Sequence, residues 1–102
     1  MHINKIKKID PEIFSALHYN NLEEAGAEML YLVACTKLSE YMSEDAFYEA
    51  KYDLCFEEFK DKYIKNKEEE NFEEEDDYLA WQFAHENTLF WKEKVEELKK
   101  CC

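Results

Sequence analysis

Apolar residues recur at intervals of three and four along most of this chain, the period of helices that bury one face. Trp81, Ala84, Thr88, Trp91, Val95 and Leu98 step by 3, 4, 3, 4 and 3. That spacing predicts a last helix with a heptad seam, broadened by Phe83, Leu89 and Phe90. Trp81, Trp91 and Leu98 are therefore expected to face other helices, with Trp91→Ala costing about 3–5 kcal/mol. Tyr48, Tyr52, Cys55, Phe59 and Tyr63 step by 4, 3, 4 and 4. With Phe47, Phe56 and Ile64 beside them, they predict an aromatic-faced helix from Glu44 to Lys67. Leu22, Ala25, Met29, Val33 and Thr36 or Lys37 mark the stripe of a helix over Leu22–Met42, widened by Leu30, Leu38, Tyr41 and Met42. Within it Met29–Cys35 is apolar all round, so its middle is expected to be enclosed on most sides.

Polar residues punctuate these stripes. Asp10-Pro11-Glu12 reads as a helix start: Asp accepts backbone N–H bonds, Pro fits the first turn, and Glu suits the positive helix end. A short helix over Pro11–His18 follows, with Ile13, Phe14 and Leu17 inward. Asn20-Asn21 reads as a turn. Ser43-Glu44-Asp45 reads as the cap of the aromatic-faced helix, and Asp76 or Asp77 as the cap of the last one. Gly26 falls inside the second helix, where glycine costs about 1 kcal/mol against alanine. A close helix–helix approach or a fray point would account for it. Residues 1–9, with Ile3, Ile6 and Ile9 among lysines, read as an N-terminal arm.

Composition narrows the fold class. One Gly and one Pro in 102 residues cannot supply the frequent turns of a sandwich or barrel. The 46% hydrophobic content is too high for a disordered chain. The expected fold is all-α: an antiparallel helical bundle of three long helices plus a short N-terminal helix, in one domain over 10–102. Residues 68–77 are expected to form an acidic linker within it. The longest unbroken apolar run, Met29–Cys35, is far short of the roughly 20 residues of a membrane span. The N-terminus has no apolar core of a signal peptide, so a cytoplasmic protein is expected.

Charge narrows the partners. The net charge is −12, and all 13 basic residues are Lys. Such a surface repels phosphate backbones and lacks the bidentate guanidinium fork, so direct nucleic-acid binding is not expected. Residues 68–77 hold −8 of the net charge, far more than a fold requires, since self-repulsion destabilises. Glu73, Glu74, Glu75, Asp76 and Asp77 are therefore the candidate partner-binding residues, a patch that would dock a Lys/Arg-rich protein surface. A solvated linker is the plainer reading of the same run.

Catalytic and metal patterns find little support. His85-Glu86 begins like a zinc-protease helix, but position 89 is Leu where the second His is required. The Glu-x-x-His pairs of carboxylate-bridged di-iron bundles are absent, because Ser15 and Gln82 precede His18 and His85 by three. No Gly-rich phosphate loop and no EF-hand loop occurs, and neither an enzyme nor a cofactor is expected. Cys35 and Cys55 lie among apolar residues and are expected to be buried thiols. The terminal Cys101-Cys102 resembles the end of geranylgeranylated Rab-family small GTPases, a likeness of two residues with no GTPase motif beside it. An oxidisable tail is the plainer reading. Two function classes remain. One is an acidic interaction module of the inhibitor, antitoxin, immunity-protein or nucleic-acid-mimic kind. The other is a self-associating scaffold bundle, with a homodimer as its simplest form. A carboxylate metal enzyme stands third.

Overall fold

The computed structural model describes residues 9–66 and 71–99. The N-terminal arm up to residue 8, the acidic residues 68–70 and Cys101-Cys102 lie outside them. The protein is all-α, with no strand among the described residues. Four helices follow in order: α1 (Glu12–Ala16), α2 (Leu22–Tyr52), α3 (Phe56–Lys65) and α4 (Phe72–Lys99).

Local chemistry sets the helix ends. Asp10 Oδ1 accepts from Glu12 N at 2.9 Å, closing the entry to α1. The Asn21 side chain accepts from Glu24 N at 2.8 Å and starts α2. The break expected at Ser43 does not occur. Ser43 Oγ donates to Ser39 O at 3.0 Å, one turn back within the same helix, so the hydroxyl joins the helix instead of capping a new one. Helix α2 therefore continues for 31 residues and ends at Asp53, which adopts the left-handed conformation (φ 54°) that Asp tolerates better than most side chains. The long helix expected from Glu44 to Lys67 is thus two pieces, the end of α2 and a 10-residue α3. Helix α4 starts earlier than expected. Its cap is Asn71, whose side chain accepts from Glu74 N at 3.1 Å, and not Asp76 or Asp77. Most of the segment read as a linker is consequently the first turns of a helix.

Helices α2 and α4 pack antiparallel along two matched heptad seams. On α4 the shielded positions are Glu74, Asp77, Trp81, Ala84, Thr88, Trp91, Val95 and Leu98, which contain the predicted stripe in full. On α2 they are Ala27, Tyr31, Ala34, Leu38, Tyr41, Asp45, Tyr48 and Tyr52. This is a different stripe from the one expected. Leu22, Met29 and Val33 point away from α4 and are 59%, 51% and 51% exposed. The apolar run 29–35 is therefore not enclosed: within it only Ala34 is fully buried.

Helix α3 covers one end of the hairpin. Phe56 and Phe59 bury themselves against Trp81, with ring centroids at 5.5 and 5.0 Å. Tyr63 stacks on Tyr78 at 4.4 Å. The remainder of α2 and α4 is a two-helix layer. The radius of gyration is 20.1 Å, against about 13 Å for a compact domain of this length. Among the described residues six hydrophobic side chains are buried: Ala34, Phe56, Phe59, Trp81, Ala84 and Val95.

The order of burial predicts the order of mutational effects. Trp81 is 0% exposed, whereas Trp91 is only partly buried. Trp81→Ala should cost about 3–5 kcal/mol in urea melts and Trp91→Ala clearly less. Equal losses would contradict this packing.

Candidate functional site

Two polar ties lie inside the aromatic end of the hairpin. Asp45, a seam position of α2, accepts the Trp81 indole N–H at 2.7 Å. Its other oxygen accepts from His85 Nδ1 at 3.2 Å. The far side of the imidazole meets Glu57 of α3, with Nε2 3.8 Å from Oε1. The ring itself stacks on Phe56 at 4.8 Å. His85 thus joins all three longer helices through carboxylates and a ring contact. The sequence offered no signal for Asp45 in this role, because the same residue reads as part of a helix cap.

The second tie involves the predicted docking residues. Lys51 donates to Asp77 and, at 2.9 Å, to Glu73. The Tyr52 hydroxyl also donates to Asp77. Burial alone would raise the Asp77 carboxyl, but the bonds from Lys51 and Tyr52 outweigh it and hold the group below its ordinary value. The Tyr52 hydroxyl is pushed up to about 12, first by burial and then by its bond to Asp77. Lys51 is held protonated well above the usual lysine range by Asp77 and Glu73. The five acidic residues are therefore divided by the helix. Asp77 and Glu73 engage α2, Glu74 is half-buried on the seam, and only Glu75 and Asp76 are both exposed and clear of these bonds. They do not form one uniform patch.

Beside this tie an open groove of about 530 Å³ runs between α2 and α4. Tyr41, Tyr48, Ala80, Phe47 and Phe83 line it, and Glu40 and Glu44 complete the lining. Phe47 and Phe83 are 62% and 57% exposed, although Tyr41 meets Phe83 edge-on at 5.7 Å. An apolar floor with a carboxylate rim suits an apolar anchor flanked by cations. The predicted aromatic stripe contained Phe47 and Tyr48, but its pairing with Phe83 across the hairpin depends on the register.

The thiols differ from expectation in part. Cys35 is half-buried, but Cys55 is exposed, because it lies in the short turn between α2 and α3, at the N-cap position of α3. Its Sγ donates to Glu58 Oε1 at 3.1 Å. Among the described residues no group of three or more His, Cys, Asp and Glu side chains is arranged to hold a metal ion. No helix among them is long and apolar enough to cross a membrane. No family model matches this chain, and no curated protein or solved structure is significantly similar to it.

Both ties have measurable signatures. Asp45→Ala strands the buried indole N–H and should cost about 1–3 kcal/mol, measured by urea melts at neutral pH. The Asp77 carboxyl is lowered on folding, so its contribution is complete above the unfolded value of about 3.9 and lost as pH falls through the folded one. The Tyr52 hydroxyl is raised, so its contribution is complete below about 10 and lost as pH rises toward its folded value. Melts across pH should show both losses. Asp77→Asn should flatten the acid limb, and Tyr52→Phe the alkaline one.

Proposed function

We propose that this protein is a small acidic helical interaction module, not an enzyme, that docks a basic protein partner in the cytoplasm. The observation that carries this reading is the groove lined by Tyr41, Phe47, Tyr48, Ala80 and Phe83 with Glu40 and Glu44. The occupant is an amphipathic segment with an aromatic or aliphatic anchor between lysines or arginines. Its anchor fills the space between Phe47 and Phe83, and its cations meet Glu40 and Glu44. Charge complementarity supports this choice, because a net charge of −12 speeds encounter with a cationic surface and repels acidic ones. Glu75 and Asp76 add to that field from the exposed side of α4, while Glu73 and Asp77 hold the hairpin together. A reducing compartment suits the thiols Cys35 and Cys55. Inhibitors and nucleic-acid mimics share this acidic design, an analogy of charge alone.

A labelled basic amphipathic helical peptide with Leu and Trp anchors is the probe, with its acidic counterpart as control. Stopped-flow binding should be fast at low salt, slow as salt rises, and be absent for the acidic peptide. Glu40→Gln with Glu44→Gln should slow association and flatten the salt dependence. Phe47→Ala with Phe83→Ala should instead speed dissociation. Unchanged dissociation in the double alanine variant would reduce the interaction to nonspecific charge attraction and overturn the reading.

A further inference from the structure

Helix α2 carries a second apolar stripe that no part of the described chain covers. Leu22, Gly26, Met29 and Val33 step by 4, 3 and 4 on the side away from α4, with Leu30 and Leu32 on the flanks. Leu22, Met29, Leu30, Leu32 and Val33 are each between 51% and 60% exposed. Gly26 lies within this stripe, half-buried along the helix itself, yet a Cβ placed on it would meet nothing within 4 Å. The described chain therefore supplies no close approach that would call for glycine here. An approaching helix from outside the chain would supply one.

We propose that this stripe is a homodimer interface, in which two α2 helices pack antiparallel around Met29 and Leu30. This goes beyond the partner groove, which lies on another face. Three observations select a second copy as the occupant. The first is charge. Between Leu22 and Lys37 the charges are Glu23, Glu24, Glu28 and Lys37. The helical period turns Glu24 and Glu28 away from Leu22, Met29 and Val33, so the stripe is flanked by one acid, Glu23, and one base, Lys37, in a chain of net charge −12. A basic partner gains no attraction there, and a second acidic chain meets least repulsion there. The second is self-complementarity. An antiparallel pair centred between Met29 and Leu30 sets Val33 of each copy over Gly26 of the other, a branched side chain over a bare backbone. The same register brings Lys37 of each copy to Glu23 of the other, on the same side of the two-fold axis. The third is area. Burying the stripe with Ala25, Gly26 and Thr36 from both copies removes on the order of 1,000 Å², the threshold for a specific interface.

Sedimentation equilibrium under reducing conditions, which keeps Cys101 and Cys102 from forming disulfides, tests the proposal. The wild-type protein should sediment at twice its 12.4 kDa chain mass. Because apolar contact drives the pairing, added salt should leave the dimer unchanged or tighten it. Gly26→Leu and Met29→Lys should each weaken it by roughly tenfold or more, with helical circular dichroism retained, since both positions are open in the single chain. Glu23→Lys and Lys37→Glu should each weaken the dimer several-fold, and the double exchange should restore it. A wild-type protein that stays monomeric at the highest attainable concentration overturns the proposal. So does a dimer that persists unchanged in Gly26→Leu and Met29→Lys, which would place the contact on another face. Neither result affects the peptide-binding readout of the acidic groove.

Discussion

Burial of the Trp81 ring between α2 and α3 is the contact on which the aromatic end of this protein depends. The ring is fully buried and stacks on Tyr48 and Tyr52 of α2 and packs against Phe56 and Phe59 of α3. An indole placed so deeply must still satisfy its N–H, and Asp45 does so. That requirement puts a carboxylate into an otherwise apolar seam, and the carboxylate in turn recruits His85. One large aromatic thereby sets the register of α2 against α4 and the position at which α3 crosses them. The side chains on this end are held by directional bonds as well as by area, which is why α3 can be short.

The other end of the hairpin has no equivalent. Beyond Tyr41 the seam is built from Ala27, Tyr31, Ala34, Leu38, Thr88, Trp91, Val95 and Leu98, and two helices side by side cannot enclose one another. Apolar residues outside the seam are left facing out: Leu30, Leu32 and Val33 on α2, Leu89 and Phe90 on α4. A 20.1 Å radius of gyration expresses the same fact as shape. This asymmetry separates two surfaces of different character. Near Trp81 the exposed aromatics are bordered by carboxylates. At the start of α2 the exposed aliphatics Leu22, Met29 and Val33 form a stripe from which the helical period turns Glu24 and Glu28 away. Such surfaces suit different occupants, a cationic segment in the first case and an uncharged helix face in the second.

Several features were legible from local chemistry. The α4 stripe from Trp81 to Leu98 was complete in the spacing, because its 3, 4, 3, 4, 3 steps hold for about five helical turns, although Phe83, Leu89 and Phe90 beside it face out. The start of α2 at Leu22 followed from the turn read at Asn20-Asn21, and the entry to α1 from Asp10, whose side chain accepts a backbone N–H group. The candidate site was legible in pieces only. Phe47 and Tyr48 stood out as aromatic, and Glu73 to Asp77 as acidic, but their grouping did not. Helical periodicity sends Asp77 toward Lys51 and Tyr52 while Glu75 and Asp76 face solvent, so a run that is uniform in sequence is divided in space.

Residue order by itself determined an all-α chain, since one Gly and one Pro cannot turn a sheet and the apolar period is helical throughout. It also determined the α4 seam and the excess of negative charge. Only the tertiary structure decided which of two apolar stripes on α2 faces α4. Both have helical spacing, and the choice went to the stripe whose Asp45, Tyr48 and Tyr52 satisfy Trp81 and Asp77 across the interface. The same choice decided the break at Asp53 in place of Ser43. A serine hydroxyl favours a cap but can also bond back within a helix, as Ser43 does to Ser39 O, and packing against α4 rewards the continuous helix through Tyr52.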